Sequence, residues 1–161
     1  MRPIHPCLGF KTEAEEAAAF YVSIFPNSKV LRTARYGESG AKVTGLPKGS
    51  VMTVEFDLDG QVFLAINGGP TGFSQAISLV IECEDQKEID RYWAALSKGG
   101  QEMPCGWVKD RFGLSWQVQP EALADMVQDP DPKKAERAFA AMLTMKKIDL
   151  AALKRAFEGK K

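Results

Sequence analysis

The chain contains one histidine, His5, and three cysteines, Cys7, Cys83 and Cys105, none of them in a CxxC pair. An odd number of distant thiols excludes a disulfide framework and reads as reduced cysteines in a cytoplasmic protein. No apolar run approaches the roughly 18 residues needed to span a bilayer, so no membrane partner is expected. The N-terminal MRPIHPCLGF lacks the long apolar segment of a signal peptide. Net charge is lacking too, with 21 basic against 21 acidic residues. Nine Lys/Arg against four Asp/Glu fall in residues 130–161, but no aromatic platform or nucleic-acid motif accompanies them. That excess reads as the solvated face of terminal helices, and no nucleic-acid partner is expected. The Gly-rich stretch GGPTG at 68–72 is missing the GxxxxGK[ST] pattern of a phosphate loop.

The hydrophobic content of 45% is that of a globular chain and argues against disorder. At 161 residues, one compact domain or two small halves sharing a core is the simplest arrangement. Ile4 to Phe10 reads as a first strand. Thr12-Glu13-Ala14-Glu15 has the form of a capping box, opening a helix to about Phe25 with Ala17, Phe20, Tyr21 and Ile24 as its buried stripe. Lys29 to Tyr36 is a second strand, and Gly37 to Gly49 a Gly/Pro-rich loop. Val51 to Leu58 alternates strictly, Asp59-Gly60 is a two-residue hairpin signal, and Gln61 to Asn67 returns.

The order then repeats. After the linker comes a strand over Ala76 to Cys83. A second capping box follows at Asp85 to Glu88, and Ile89, Tyr92, Trp93 and Leu96 form a stripe ended by Gly99-Gly100. Short strands across Gln101 to Gln119 include the hairpin CGWVKDRFGLSWQV, with Lys109-Asp110-Arg111 marking its turn. The fold class is therefore α+β: a βαβββ module over 1–67, a linker over 68–75, a second module over 76–119 and a helical extension over 120–161. In the extension, Asp149 is placed to cap the last helix. The stripes of Phe139 with Met142, and of Leu153 with Phe157, need cover from the chain's own sheets or from a second copy.

Two βαβββ halves joined by a Gly-rich linker resemble the vicinal oxygen chelate superfamily, which includes glyoxalase I, extradiol dioxygenases and bleomycin-resistance proteins. PCLGF, AAAFYVSIFPNSKV, CGWVKDRFGLSWQV and AMLTMKKIDLAALKRA resemble its PhnB-like branch, which often carries a demethylubiquinone methyltransferase label. The resemblance implies a cleft curled from paired modules, and a homodimer with the cleft at or near the subunit contact. It also implies metal ligands at four positions. These fall on His5, within Phe63 to Ile66, between Ala76 and Ser78, and on Gln117. Only His5 offers a ligand suited to a transition metal, where about three are needed, so no metal and no cofactor are expected. A Gly-rich turn between a parallel strand and a helix, as nucleotide-binding folds require, is absent, and the methyltransferase label gains no motif.

Glu55 projects opposite the apolar row of its strand, as does Thr53. Glu55 is the candidate catalytic base, or else a solvated partner of Arg32 or Arg35. His5, Thr53, Trp107 and Gln117 are the candidate substrate-binding residues, with Trp107 an apolar wall and Gln117 an orienting amide. Cys7 reads as a buried, inert thiol, and Trp116 as core. Three functions stay open: a protein that binds a small molecule in the cleft without metal, an enzyme of the same superfamily, and an interaction protein using its basic helices.

Overall fold

The computed structural model describes residues 4–69 and 71–160, which divide into two compact units, Met1–Gly72 and Phe73–Lys161. The first unit runs β1 (Cys7–Phe10), α1 (Ala14–Ile24), β2 (Lys29–Arg35), α2 (Glu38–Thr44), β3 (Val51–Leu58) and β4 (Gln61–Asn67). Its sheet has the order β1-β4-β3-β2, with β1 parallel to β4 and the other pairs antiparallel.

Alternation divides this sheet into two faces. Leu8, Phe10, Val54, Phe56, Phe63 and Ala65 are buried on one, against Ala14, Ala17, Ala18 and Tyr21 of α1. Tyr21, Phe56 and Phe63 stack in series, with ring centroids 6.2 Å and 5.5 Å apart. The small alanines let the helix approach closely, so the aromatics fill the layer between helix and sheet. Asp59 and Gly60, at φ 49° and 91°, make the predicted β3–β4 turn, in which both residues take the left-handed conformation.

Three local expectations change here. β1 begins at Cys7 rather than Ile4, because Pro6 has no N–H to donate; its carbonyl still accepts from Leu64 N at 3.0 Å. The 37–49 loop contains α2, a short helix without buried residues, ended by Gly45 in the left-handed conformation. No capping box forms on Thr12. The start of α1 is satisfied from β4, where Asn67 Oδ1 accepts from Ala14 N at 2.9 Å, while Glu15 lies 3.7 Å from Arg35.

The second unit runs β5 (Ser78–Cys83), α3 (Gln86–Ser97), β6 (Gln101–Glu102), β7 (Trp107–Lys109) and β8 (Ser115–Pro120). Its sheet order, β5-β8-β7-β6, repeats the first, again with one parallel pair, β5 with β8. Asp85 Oδ1 accepts from Glu88 N at 2.9 Å, as expected of the cap. Glu88 Oε2 answers on Glu84 N at 3.0 Å, one residue earlier than the usual partner. Ile89, Tyr92, Trp93 and Leu96 are buried, above Val108, Trp116 and Val118.

Asp110 is not a solvated turn charge. It is 3% exposed and gathers Phe112 N at 2.8 Å, Leu114 N at 3.0 Å and Trp116 Nε1 at 2.8 Å. A buried carboxylate needs such donors, and the turn supplies two from its own backbone.

The same unit continues into α4 (Ala122–Val127), α5 (Pro132–Leu143) and α6 (Leu150–Glu158). Leu123, Met126, Ala138, Ile148 and Leu153 form a small core, with Met142 and Phe157 packed against it. The stripes expected to need cover from elsewhere thus largely cover one another, while Phe139 and Leu143 stay exposed. Asp149 caps α6 by accepting from Ala152 N at 2.8 Å. Arg137 closes the far end of α6, donating from Nε to Ala156 O at 3.0 Å and from Nη2 to Phe157 O at 2.7 Å. This places a cation on the orphan carbonyls of a helix C-terminus.

Candidate functional site

Each sheet buries one face under its helix and leaves the other open. On the first sheet, β3 puts Thr53 and Glu55 on the open face, both half-buried. Arg32, opposite Glu55 in the β2–β3 register, donates to Glu55 Oε2 from Nε at 2.9 Å and from Nη2 at 2.5 Å. Both guanidinium bonds end on one oxygen. The arginine side chain is 72% exposed and the glutamate 21%, so solvent screens the pair and its net stabilisation is about 0–1 kcal/mol. The carboxylate serves here as an anchor for a cation.

His5 does not join these residues; it is exposed and lies ahead of β1. Cys7, expected to be buried, is exposed. It is the first residue of an edge strand and points away from the helix-covered face occupied by Leu8. Packing around it nonetheless pushes the thiol up from its ordinary value. Cys83 is different. Fully enclosed beneath α3, its thiol is pushed up to about 12, by burial first and then by the neighbouring Glu88 and Asp85 carboxylates, against the opposing effect of Arg91.

On the second sheet the structure brings two predicted residues together. Trp107 and Gln117 are directly paired across β7 and β8, half-buried on the open face, while Trp116 points under α3 and is core. The Gln117 amide donates from Nε2 to Ser78 Oγ at 2.9 Å. Beside Trp107 is a cavity of about 300 Å3 lined by Gln75, Met103, Pro104 and Trp107. The first three were not singled out from sequence. The one signal for Met103 and Pro104 is the Pro104-Cys105-Gly106 punctuation before Trp107, which marks a backbone turn but not a pocket, and Gln75 has none.

Metal-ligand chemistry finds no footing at the four expected positions. His5 stands apart, Phe63 to Ile66 and Ala76 to Ser78 contain no acid or imidazole, and Gln117 is bonded to Ser78. Among the described residues, no three of His, Cys, Asp and Glu gather into a group able to hold a metal ion. A nucleotide cradle does not fit either. The strand-to-helix connections after β1 (Lys11 to Glu13) and β5 (Glu84, Asp85) contain no glycine.

A four-stranded sheet under one helix, made twice with the same strand order, defines the two-module fold of the glyoxalase, bleomycin-resistance and dioxygenase proteins. The chain belongs to the family described as 3-demethylubiquinone-9 3-methyltransferase, the PhnB-like family, whose model matches residues 2–119. A PhnB protein of Bacillus cereus with the same methyltransferase description is similar at 32% identity and TM-score 0.64, over 73% of this chain and 99% of its own. Protein PA1353 of Pseudomonas aeruginosa is similar in fold, at 20% identity and TM-score 0.60, over 74% of this chain and 98% of its own. So is a variant of the fosfomycin resistance protein FosX of Listeria monocytogenes, a vicinal oxygen chelate protein solved with Mn(II) and a dihydroxypropylphosphonic acid. It reaches 16% identity and TM-score 0.53, over 75% of this chain and 93% of its own. No curated protein matches the sequence.

Proposed function

We propose that this protein binds a small molecule against the open face of its second sheet, without a glyoxalase-type metal centre. The Trp107 ring would be the apolar wall and the Gln75 amide the polar group in its lining, with Gln117, paired with Trp107 across β7 and β8, a second orienting amide on the same open face. The observation that carries this reading is the cavity of about 300 Å3 beside Trp107. Its lining of indole, thioether and proline ring with one amide, that of Gln75, is the mixture that small-molecule pockets use. Thr53, and Glu55 with its bound Arg32, offer a separate set of polar contacts on the first sheet, and His5 lies ahead of that sheet's edge. The setting is a cytoplasmic one, in keeping with three free thiols. The expected protein partner is a second copy of the chain, with Phe139 and Leu143 still exposed on α5.

Mass spectrometry of the protein as purified from cells, run natively and then after denaturation, tests the reading. The expected result is one organic molecule near stoichiometry, lost in Trp107→Ala, with no transition metal at one per chain. One tightly held Zn, Ni or Fe per chain, removed by His5→Ala, overturns it. Catalysis through Glu55 is the competing reading and differs in one outcome: Glu55→Gln would then abolish turnover and leave binding intact.

A further inference from the structure

Residues 120–161 lie beyond the region the family model matches, yet one part of them is bonded to the wall of the Trp107 cavity. Between α5 and α6, Met145 O accepts from Cys105 N and Lys146 O accepts from Gly106 N, each at 2.7 Å. Both donors belong to the β6–β7 connection. Cys105 and Gly106 have φ of 62° and 79°, which turns their amides out of the sheet ladder, so they need acceptors elsewhere. A Cβ on Gly106 would lie 2.7 Å from Val118 O and 3.2 Å from Ile148 Cγ1. The backbone here is sandwiched between the sheet and the C-terminal segment, and only glycine fits. The residues on either side, Met103, Pro104 and Trp107, line the cavity.

The segment that supplies these acceptors is itself fastened to α3. Gln86 donates from Nε2 to Ile148 O at 3.1 Å and accepts at Oε1 from Leu150 N at 2.8 Å. Lys147 Nζ donates to Asp90 Oδ1 at 2.6 Å, and Ile148 is fully buried between them. A continuous set of contacts therefore runs from α3 through residues 145–150 to Cys105 and Gly106.

We infer that the C-terminal helical extension is a positioning element for the cavity: residues 145–150 hold the Met103–Trp107 wall from behind, and Gln86 is the positioning residue that seats them. The functional part of this inference rests on the cavity being the ligand site, as proposed above; the mechanical part does not.

Gln86→Ala, and Gln86→Ala combined with Lys147→Met, test it by amide exchange and by fluorine resonance of the full chain carrying 5-fluorotryptophan. The Leu150, Cys105 and Gly106 amides should exchange at least tenfold faster together, while the Leu114 amide, held by Asp110, keeps its rate. The Trp107 resonance, assigned with Trp107→Phe, should move and that of Trp116 stay. A freed Leu150 with Cys105, Gly106 and Trp107 unchanged would sink the idea. So would a response from none of the three amides, which would remove Gln86 from the role. A protein that co-purifies with no small molecule would defeat the binding reading and leave these outcomes as they stand.

Discussion

Asp110, closed off from water, accepts from Phe112 N and Leu114 N of its own turn and from the Trp116 indole. Asp110→Asn can keep its carbonyl oxygen on the two backbone amides but then sets an NH2 group against Trp116 Nε1, and should cost about 1–3 kcal/mol, read as a shift in denaturant midpoint with unchanged slope. The thiols divide by surroundings. Labelling at mildly alkaline pH should modify the exposed Cys7 in the folded protein and leave Cys83 until the protein unfolds, with peptide mass spectrometry reporting the order. Cys83 also sets a pH dependence. Its folded value, about 12, exceeds the ordinary 9.0, so above pH 9 the unfolded chain loses a proton that the folded chain keeps. Its contribution to stability is complete below about pH 9 and declines as pH rises toward about 12, a slope that Cys83→Ala should remove. Trp116 was legible as core because it alternates with Ser115 and Gln117. Asp110 was not, because a charged residue in a turn looks solvated until the indole that it binds is placed above it.

Among the elements, β3, β4, α3 and the Asp59-Gly60 turn were legible because their signals are local: a period of two, a period of 3.6, a cap three residues from its target. The start of α1 was not, since its acceptor comes from Asn67, 53 residues away. The Asn67 side chain also donates from Nδ2 to Val51 O at 3.1 Å, while its main-chain carbonyl accepts from Tyr36 Oη, a bond that alanine keeps. Asn67→Ala should therefore cost about 1–3 kcal/mol, more than the loss of a surface cap, because it orphans buried groups as well. Asp85→Ala removes only the cap of α3 and should cost about 0.5–2 kcal/mol. Thermal unfolding of the two variants side by side would rank them, and a larger shift for Asp85→Ala would contradict this account of α1.

For the molecule as a whole, the repeated module was legible because two runs of strand, capped helix and hairpin can be laid over each other in the sequence. The candidate site was legible only in part. Trp107 and Gln117 could be paired from alternation, but Met103 and Pro104 belong to a connection whose path is set by residues some forty positions later. Among the described residues, no helix is long and apolar enough to cross a membrane. Sedimentation at micromolar concentration should give a dimer, and Phe139→Ser with Leu143→Ser should weaken it if α5 is at the contact; a monomer throughout would rule the pairing out. The bonds from Cys105 and Gly106 to Met145 and Lys146 also impose an order in time. A ribosome adding roughly 5–20 residues per second makes the two amides several seconds before their acceptors. During that interval the second sheet carries an unfinished corner, and the nascent chain would be open there to a chaperone or to a mistaken strand pairing.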